Sequence, residues 1–328
     1  MKMERAAAKA TVAPFGQALY DFEAGSLDVI ERVLAQAVCR MPEPFGTMDA
    51  AGARAVFAEL GEAWPDLERR RYISISGTDD DGAVWVGDAG YYTATFSQPW
   101  LDIPPTGRTV HMRFHEFFRI EGNRVVETQF GWDIPEVMVQ ADAWPLAPSL
   151  GRDWCVPGPA TCDGLGPHGG GADAAKALIL DMLIHMSKHP AEGGPEVMEM
   201  DRFWHPKMHW YGPTGIGTAR GIEGFRRHHQ IPFLAAMPDR GSYRDTMGYH
   251  FFAEGDYVGV TGWPNMKQTH SDPGWLGLPP TGKLITLKSL DFWRVENGMI
   301  RENWVLVDLI DVYQQLGIDV FERMRELA

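Results

Sequence analysis

Two carboxylates lie in strand-like segments whose alternate residues are mostly apolar, where a carboxylic acid can work as a base near neutral pH. Glu116 belongs to such a segment at residues 110–118, and Asp291 to one at residues 285–293. Burial in an apolar pocket raises the pKa of a carboxylic acid, and enolate chemistry such as aldol closure needs a base of this strength. We therefore predict that Glu116 and Asp291 are acid/base groups. The alternative is a carboxylate held in a salt bridge at a sheet edge or a domain contact.

His250 and His270, both on predicted strands, are the histidine candidates for the same chemistry. An imidazole ionises near neutral pH, so it can act as an acid, a base or a hydrogen-bond donor to an oxyanion. A strand histidine can equally be an ordinary core or surface residue. Other histidines have H-x-x-x-H spacing but lack the glutamate of the HExxH motif and a nearby cysteine pair, so no metal site is predicted. These pairs are His111/His115, His185/His189 and His205/His209.

A group of aromatic residues in the second half of the chain could bind a flat hydrophobic ligand. We assign Asn303 to the same predicted binding site. The alternative is that these aromatic side chains are plain core. They are Trp204, Trp210, Tyr211, Trp263, Trp293 and Trp304.

Asp133 and Asp308 each follow a predicted strand and precede a predicted helix, with an acidic residue three positions later. This spacing is typical of a capping box, in which the first side chain accepts hydrogen bonds from free N–H groups at the helix start. We therefore predict a structural role for both aspartates.

The elements that position these groups occur twice. Residues 100–107 (WLDIPPTG) match residues 275–282 (WLGLPPTG) at an offset of 175 (275 minus 100), and the similarity continues to Gln140 and Gln315. The segment between the copies is rich in proline and glycine and has no apolar period, which is typical of a linker. We therefore predict a first domain at residues 15–143, a linker at 144–173 and a second domain at 174–328.

Each copy is predicted to begin with helices and to continue with strands. The helices of the second copy are predicted at 174–186 and 222–236, and its strands at 208–211, 242–252, 257–269, 284–295 and 299–307. The strands of the first copy are predicted at 71–76, 83–96, 109–120 and 124–132. Short turns such as Asn297-Gly298 make neighbouring strands antiparallel. The predicted fold class is α+β, with a curved, mostly antiparallel sheet folded around helices in each domain.

Composition excludes several kinds of partner. Acidic residues outnumber basic ones 44 to 30, giving a net charge of −14. Nucleic acids and anionic membranes are bound by concentrated lysine and arginine, so neither is expected as a partner. No apolar run has the length of a membrane span or the form of a signal peptide, and we expect a cytoplasmic protein. The three cysteines are expected to be free thiols, with a bridge between Cys155 and Cys162 as the alternative.

Several motifs of the second copy occur together in one known family. They are Met237-Pro-Asp239, Thr269-His270, Gly277-Leu-Pro-Pro-Thr-Gly-Lys283, Asp291-Phe-Trp-Arg294, Gly298-Met-Ile300, Glu302-Asn-Trp304 and Asp308 with Gln315-Leu-Gly317. Through them the chain resembles the SnoaL-like polyketide cyclase family of the nuclear-transport-factor-2-like superfamily. The first copy keeps fewer of these motifs.

The resemblance implies two tandem cone-shaped α+β barrels, each with a deep apolar pocket. It also implies action on hydrophobic cyclic or polyketide-like compounds without a cofactor, and usually pairing through the sheet. Cyclases of this family tend to carry an acid/base aspartate directly after the tryptophan of the final strand. Here the corresponding residues are Val305 and Phe130, which are both apolar.

Together these features predict a cofactor-independent acid/base enzyme of cyclase, isomerase or lyase type, with aldol or retro-aldol chemistry among the possible reactions. Its substrate would be a small hydrophobic cyclic or aromatic carbonyl compound bound in the second domain. Asp291 or His270 would be the base, and His250 or Tyr211 the hydrogen-bond donor. The alternative function is a non-catalytic protein that binds a small molecule or a partner and keeps the pocket. The two copies are expected to form an internal pseudo-dimer, or the chain to form a homodimer.

Overall fold

The two repeats form separate units. The computed structural model describes residues 4–327, except the side chains of residues 244 and 245. Unit 1 runs to Pro145 and also contains Pro157–Pro167 and the chain from Asp319 onward. Unit 2 contains Leu146–Val156 and His168–Ile318. Parts of the predicted linker, residues 144–173, thus belong to each unit. The last helix, Val320–Leu327, was predicted to be part of the second domain but is grouped with unit 1.

Unit 1 is built on a six-stranded sheet in the order β2-β1-β6-β5-β4-β3. Its β1 and β6 are parallel, and the other neighbours are antiparallel. The strands are β1 (Val38–Arg40), β2 (Thr47–Met48), β3 (Glu68–Thr78), β4 (Val84–Thr95), β5 (Thr109–Glu121) and β6 (Arg124–Trp132). The helices are α1 (Arg5–Tyr20), α2 (Ser26–Leu34), α3 (Ala50–Ala63), α4 (Ile134–Gln140) and, from the end of the chain, α10 (Val320–Leu327).

Unit 2 repeats this sheet in the order β8-β7-β14-β13-β10-β9, and a separate ribbon pairs β11 with β12. The strands are β7 (Trp204–Tyr211), β8 (Thr218–Arg220), β9 (His250–Glu254), β10 (Tyr257–Thr261), β11 (Met266–Thr269), β12 (Leu284–Leu287), β13 (Ser289–Glu296) and β14 (Met299–Val307). The α-helices are α5 (Ala172–Met186), α6 (Met200–Phe203), α7 (Gly221–Phe225), α8 (Ile231–Ala236) and α9 (Leu309–Leu316). A π-helical turn, Arg226–Gln230, joins α7 to α8, and 3-10 turns cover Pro195–Met198 and Arg240–Thr246.

Tight turns fix the register of the strands that carry the candidate acids. Asn297 and Gly298 connect β13 to β14 with positive φ values of 51° and 75°. Positive φ at both central residues is what the type I′ two-residue hairpin turn requires, and asparagine and glycine tolerate it. The same arrangement at Gly122 and Asn123 connects β5 to β6. The predicted α+β class, with a mostly antiparallel sheet and helices in each of two tandem units, is confirmed.

Three strands predicted in the second copy are interrupted or shortened. Residues 242–249 of the predicted strand 242–252 are not strand, because the chain turns in the 3-10 segment Arg240–Thr246 and only β9 is extended. The predicted strand 257–269 breaks at Gly262–Asn265, where Pro264 has no N–H to donate. The predicted strand 284–295 breaks at Lys288. The side-chain amide of Asn265 bonds both the N–H and the C=O of Ser289 at 3.0 and 2.7 Å, which holds the start of β13.

Among residues 4–327 no helix has both the length and the apolar character needed to cross a bilayer. The three cysteines are free thiols, as predicted, with Cys39 buried and Cys155 and Cys162 exposed.

Candidate active site

Unit 2 contains a pocket between its helices and the inner face of its sheet. The helical wall includes Met182 and Met186 of α5, and Phe225 and Phe233 on either side of the π-helical turn. The sheet contributes residues from β7, β13 and β14, and Met266 and Leu287 come from the ribbon. Most of these side chains are apolar, which suits a hydrophobic ligand. The ionisable members of the described lining are His229, Arg240 and Asp291.

Asp291 is presented to the pocket by the alternation of β13. Ser289, Asp291 and Trp293 point to the same side of this strand, and all three line the pocket. The Ser289 hydroxyl donates a hydrogen bond to Asp291 Oδ1 at 2.7 Å. The carboxyl group is surrounded by the fold but remains partly accessible through the pocket.

The environment of Asp291 makes its carboxyl group a weak acid. Removal from bulk water raises the pKa of Asp291 to about 7, although the Ser289 hydrogen bond and the positive charge of Arg240 oppose this change. A group with this pKa is present in both protonation states near neutral pH. It can therefore take up and release a proton during a reaction cycle.

The next strand, β14, lines the pocket with Asn303, Val305 and Val307, which alternate with residues of the other face. Val305 is paired directly with Asp291 across the two strands. The Asn303 side chain donates a hydrogen bond to the carbonyl of Phe292 at 3.0 Å, which fixes the orientation of its amide. Trp304 points to the opposite face and packs on Tyr211, with a distance of 5.4 Å between ring centroids.

His229 lines the pocket from the helical side. It lies in the π-helical turn and stacks on Trp210, with ring centroids 4.1 Å apart and an angle of 12° between the ring planes. Removal from bulk water and the charge of Arg240 lower the pKa of His229 to about 3. The imidazole is therefore neutral throughout the physiological range. Its Nδ1 has no hydrogen-bond partner among the described residues.

The structure brings only some of the predicted site residues together. Asp291, Trp210, Trp293 and Asn303 line the pocket. The other predicted residues of unit 2 have described side chains that lie outside this lining. They are His250, His270, Tyr211, Trp263 and Trp304.

Four of these residues have other surroundings. His270 is buried, which lowers its pKa, and its Nδ1 lies 3.3 Å from the Thr281 hydroxyl. Tyr211 donates a hydrogen bond to Glu302 at 3.1 Å. The ammonium group of Lys288 lies 4.9 Å from the centre of the Trp263 ring. His250 is half-buried at the start of β9.

In unit 1 the carboxylate of Glu116 is held in a buried ion-pair network. Arg69 donates to Glu116 Oε2 from Nε at 3.0 Å and from Nη2 at 2.6 Å, and Nη2 also contacts Asp88 at 3.1 Å. Tyr92 and Trp132 donate to Glu116 Oε1 at 2.6 and 3.1 Å. This is the salt-bridged alternative considered for Glu116, although it lies in the interior of the unit rather than at a sheet edge.

The strand register shows that Glu116 and Asp291 are structurally equivalent. Glu116 is paired with Phe130, as Asp291 is paired with Val305. The neighbouring pair is Phe114 with Trp132 in unit 1 and Ser289 with Val307 in unit 2. On the other side, Asp88 is paired with Glu116 and Val260 with Asp291. Larger side chains and charged partners thus fill in unit 1 the space that is a pocket in unit 2.

The two aspartates predicted to cap helices differ. Asp308 accepts a hydrogen bond from the N–H of Asp311 at 3.2 Å and caps α9, which confirms the prediction. Asp133 occupies the same position before α4, but its side chain makes no capping hydrogen bond, so the capping box predicted there is wrong, whereas its predicted role remains structural. The Asp133 carboxylate instead contacts Arg113 at 3.5 Å, because this buried cation competes for it.

Sequence reasoning missed His229 and Arg240. Phe225, His229 and Phe233 are spaced four residues apart in the predicted helix 222–236, so they share one face of it. That spacing was a signal that His229 faces the interior with two phenylalanines. No comparable spacing pointed to Arg240, because it lies just before the strand that was wrongly predicted at 242–252.

Comparison with known proteins gives one family. The sequence profile of the SnoaL-like polyketide cyclases matches residues 12–141 and 195–316, which together are more than half of the chain. No curated protein is significantly similar in sequence.

Three solved structures that resemble this chain each cover less than half of it. AclR from Streptomyces galilaeus is 19% identical, over 42% of this chain and 87% of its own, with a TM-score of 0.36. IdmH from Streptomyces antibioticus is 22% identical, over 41% of this chain and 98% of its own, with a TM-score of 0.36. A Jannaschia sp. CCS1 protein described as SnoaL-like is 20% identical, over 41% of this chain and 91% of its own, with a TM-score of 0.37.

Proposed function

The chain belongs to the SnoaL-like polyketide cyclase family, and we propose that it is a cofactor-independent acid/base enzyme whose reaction takes place in the pocket of unit 2. Its substrate is a small hydrophobic cyclic or aromatic compound that carries a carbonyl group. The reaction begins with removal of a proton from the carbon next to the carbonyl. Aldol closure or opening, isomerisation and elimination all pass through the enolate that this step produces.

One observation carries the proposal: a carboxyl group with a pKa of about 7 lies in a mostly apolar pocket. In its ionised form Asp291 accepts the proton from the α-carbon, and the electron pair of the broken C–H bond forms the enolate. Asp291 is then neutral and returns the proton to carbon or to a product oxygen. The same group thus serves as base and as acid in one cycle.

The side chains around Asp291 support a flat ligand. Trp210 and Trp293 provide large aromatic surfaces, and Asn303 provides a fixed polar group. His250, His270 and Glu116 have no part in the proposed reaction, because His250 and His270 lie outside the pocket lining and Glu116 is ion-paired with Arg69 in unit 1.

The proposal is tested by α-proton exchange in 2-tetralone, a bicyclic aromatic ketone, in heavy water followed by proton NMR. We expect the wild-type chain to accelerate exchange, with a rate that rises with pH and levels off above about pH 7, because the ionised carboxyl is the active form. The variant Asp291→Asn should lose about 100-fold or more of this rate, which is the usual contribution of a general base.

Asp272→Asn is the matched control, because Asp272 is exposed and its carboxylate accepts a hydrogen bond from the neighbouring Ser271 hydroxyl at 2.9 Å. It should exchange 2-tetralone like the wild-type chain. An Asp291→Asn variant with the wild-type rate would refute the proposed role of Asp291.

A second candidate function is a non-catalytic binding protein. Val305 favours it, because this residue is apolar at the position where cyclases of the family tend to carry an aspartate. This alternative predicts that the wild-type chain binds aromatic ketones but exchanges their α-protons no faster than buffer of the same pH.

A further inference from the structure

The π-helical turn of unit 2 places a histidine in the pocket, and the corresponding helix of unit 1 has neither feature. Unit 1 has the regular helix α3, whose sequence AAGARAVFAELGEA contains no histidine. In unit 2 the helix is interrupted by Arg226–Gln230, which includes His229. π-helical turns are rare, destabilise a helix locally and are frequent at functional sites. The interruption thus occurs in the unit that has the pocket.

Aromatic rings hold the imidazole of His229 in place. Trp210 stacks on one face at 4.1 Å, and the ring of Phe233 lies at 5.3 Å with an angle of 29° between the planes. Phe225 lies at 5.6 Å. These contacts place the imidazole within an aromatic cluster.

Among the residues that the structure describes, none forms a hydrogen bond with the His229 ring. Nδ1 is buried and has no partner among the described residues, whereas part of the side chain is accessible from the pocket. The indole N–H groups of the lining residues Trp204, Trp275 and Trp293 also have no partner there. An unpaired buried donor is costly, and an acceptor oxygen on a ligand would remove that cost.

We propose that His229 is the group that hydrogen-bonds the substrate oxygen, as a neutral imidazole on the helical wall, while Asp291 takes the proton from the sheet side. This inference deepens the proposed function and rests on it. A neutral imidazole has one N–H donor, and it can stabilise an oxygen that becomes negative without delivering a full proton. Arg240 lines the same pocket and contributes a positive charge that favours the anionic form of the bound ligand.

The test uses 2-naphthol, a flat phenol whose oxygen resembles that of an enolate, in a fluorescence titration of the full chain. His229→Phe keeps an aromatic ring against Trp210 but removes both nitrogens. We expect it to bind 2-naphthol about five- to tenfold more weakly than wild type, the loss expected for one hydrogen bond. In 2-tetralone exchange it should lower kcat more than it raises KM, because the hydrogen bond strengthens as the enolate forms.

Two further variants separate hydrogen bonding from packing. His229→Gln restores a side-chain donor and should recover most of the binding and of kcat. His228→Phe is the matched control, since the side chain of His228 lies outside the described pocket lining, and it should behave as wild type. Recovery by glutamine is not expected if His229 only fills space.

Three outcomes would overturn the inference. In the first, His229→Phe equals the wild-type chain in both 2-naphthol binding and kcat. In the second, His229→Gln restores neither property, and in the third, the wild-type chain does not bind 2-naphthol. A different result would show that the proposed function is wrong but the binding role of His229 is right. In that case the wild-type chain exchanges no α-protons, while 2-naphthol binding still depends on His229.

Discussion

At the scale of single residues, the same chemical group has different hydrogen-bond partners in the two units. Glu116 and Asp291 occupy equivalent strand positions. Glu116 contacts a guanidinium group, a phenol and an indole N–H, so its oxygens are fully occupied. Asp291 accepts a hydrogen bond from the Ser289 hydroxyl and also lines the pocket. The partners of the carboxyl group therefore decide whether it is structural or available to a ligand.

The raised pKa of Asp291 predicts that this residue costs stability at high pH. The folded chain holds the Asp291 proton more tightly than the unfolded chain, so stability decreases as pH rises from about 4, the unfolded value, to about 7. Asp291→Asn mimics the neutral acid and should stabilise the fold at pH 8.5 by on the order of 1 to 3 kcal/mol. This gain is smaller than the gain for a carboxyl group fully enclosed in the protein, because the Asp291 carboxyl remains accessible from the pocket.

Urea denaturation at two pH values measures this effect. The gain in Asp291→Asn should be smaller at pH 5.5, where the wild-type carboxyl is still protonated in the folded chain. The control in the same titrations is Asp272→Asn, which should be about as stable as the wild-type chain because Asp272 is exposed. An equal gain for Asp291→Asn at both pH values would contradict a raised pKa.

At the scale of elements, the pair β13 and β14 offers two places for one carboxylate. Asp291 and Val305 are directly paired and both line the pocket. Side chains of directly paired residues have Cβ atoms about 4.5 to 5.5 Å apart, so a carboxylate at either position reaches a similar part of the pocket. The proposed acid of this chain thus lies one strand away from Val305, the position where the family resemblance implies an aspartate.

This arrangement predicts that the acid can be moved. The double variant Asp291→Asn/Val305→Asp should exchange the α-protons of 2-tetralone about tenfold faster than Asp291→Asn alone, since a base is present again but in a slightly different place. The comparison is Asp291→Asn/Val305→Asn, which adds an amide of the same size and should remain as slow as Asp291→Asn. Equal rates in the two double variants would show that the positions are not interchangeable.

Local sequence signals predicted the elements whose structure is decided locally. The strands β6 and β14 agree with the predicted bounds 124–132 and 299–307, because alternation and a tight turn define both. The period of two also placed Asp291 on the same strand face as Trp293. The strand predicted at 242–249 was wrong, because the chain there forms a 3-10 turn in which the N–H of Ser242 donates to the carbonyl of Asp239 at 2.8 Å. The π-helical turn at Arg226–Gln230 was not predicted, since its residues fit an ordinary helix equally well.

At the scale of the whole molecule, the two units preserve a fold while their interiors have diverged. In unit 1 the rings of Phe57, Tyr92 and Trp132 pack together within 6.4 Å of one another, and Arg69 lies 4.4 Å from the centre of the Phe114 ring. In unit 2 the corresponding strand residues are smaller, and the space is open. One copy can therefore be selected for stability, and the other for a ligand.

This division predicts that unit 1 can be weakened without loss of the chemistry of unit 2. Arg69→Met removes the buried cation shared by Glu116 and Asp88 and should destabilise unit 1 by about 3 to 5 kcal/mol, the usual cost of leaving buried carboxylates uncompensated. Each unit has its own core, so thermal unfolding should separate into two transitions.

Below the first transition the exchange of 2-tetralone should equal that of the wild-type chain. Arg54→Met is the matched control, because the ion pairs of Arg54 with Asp28 and Glu31 are exposed and worth less than about 1 kcal/mol. It should leave the unfolding profile unchanged. If Arg69→Met instead removes exchange activity while unit 2 remains folded, the carboxylate network of unit 1 takes part in the reaction, and the assignment of chemistry to unit 2 alone is wrong.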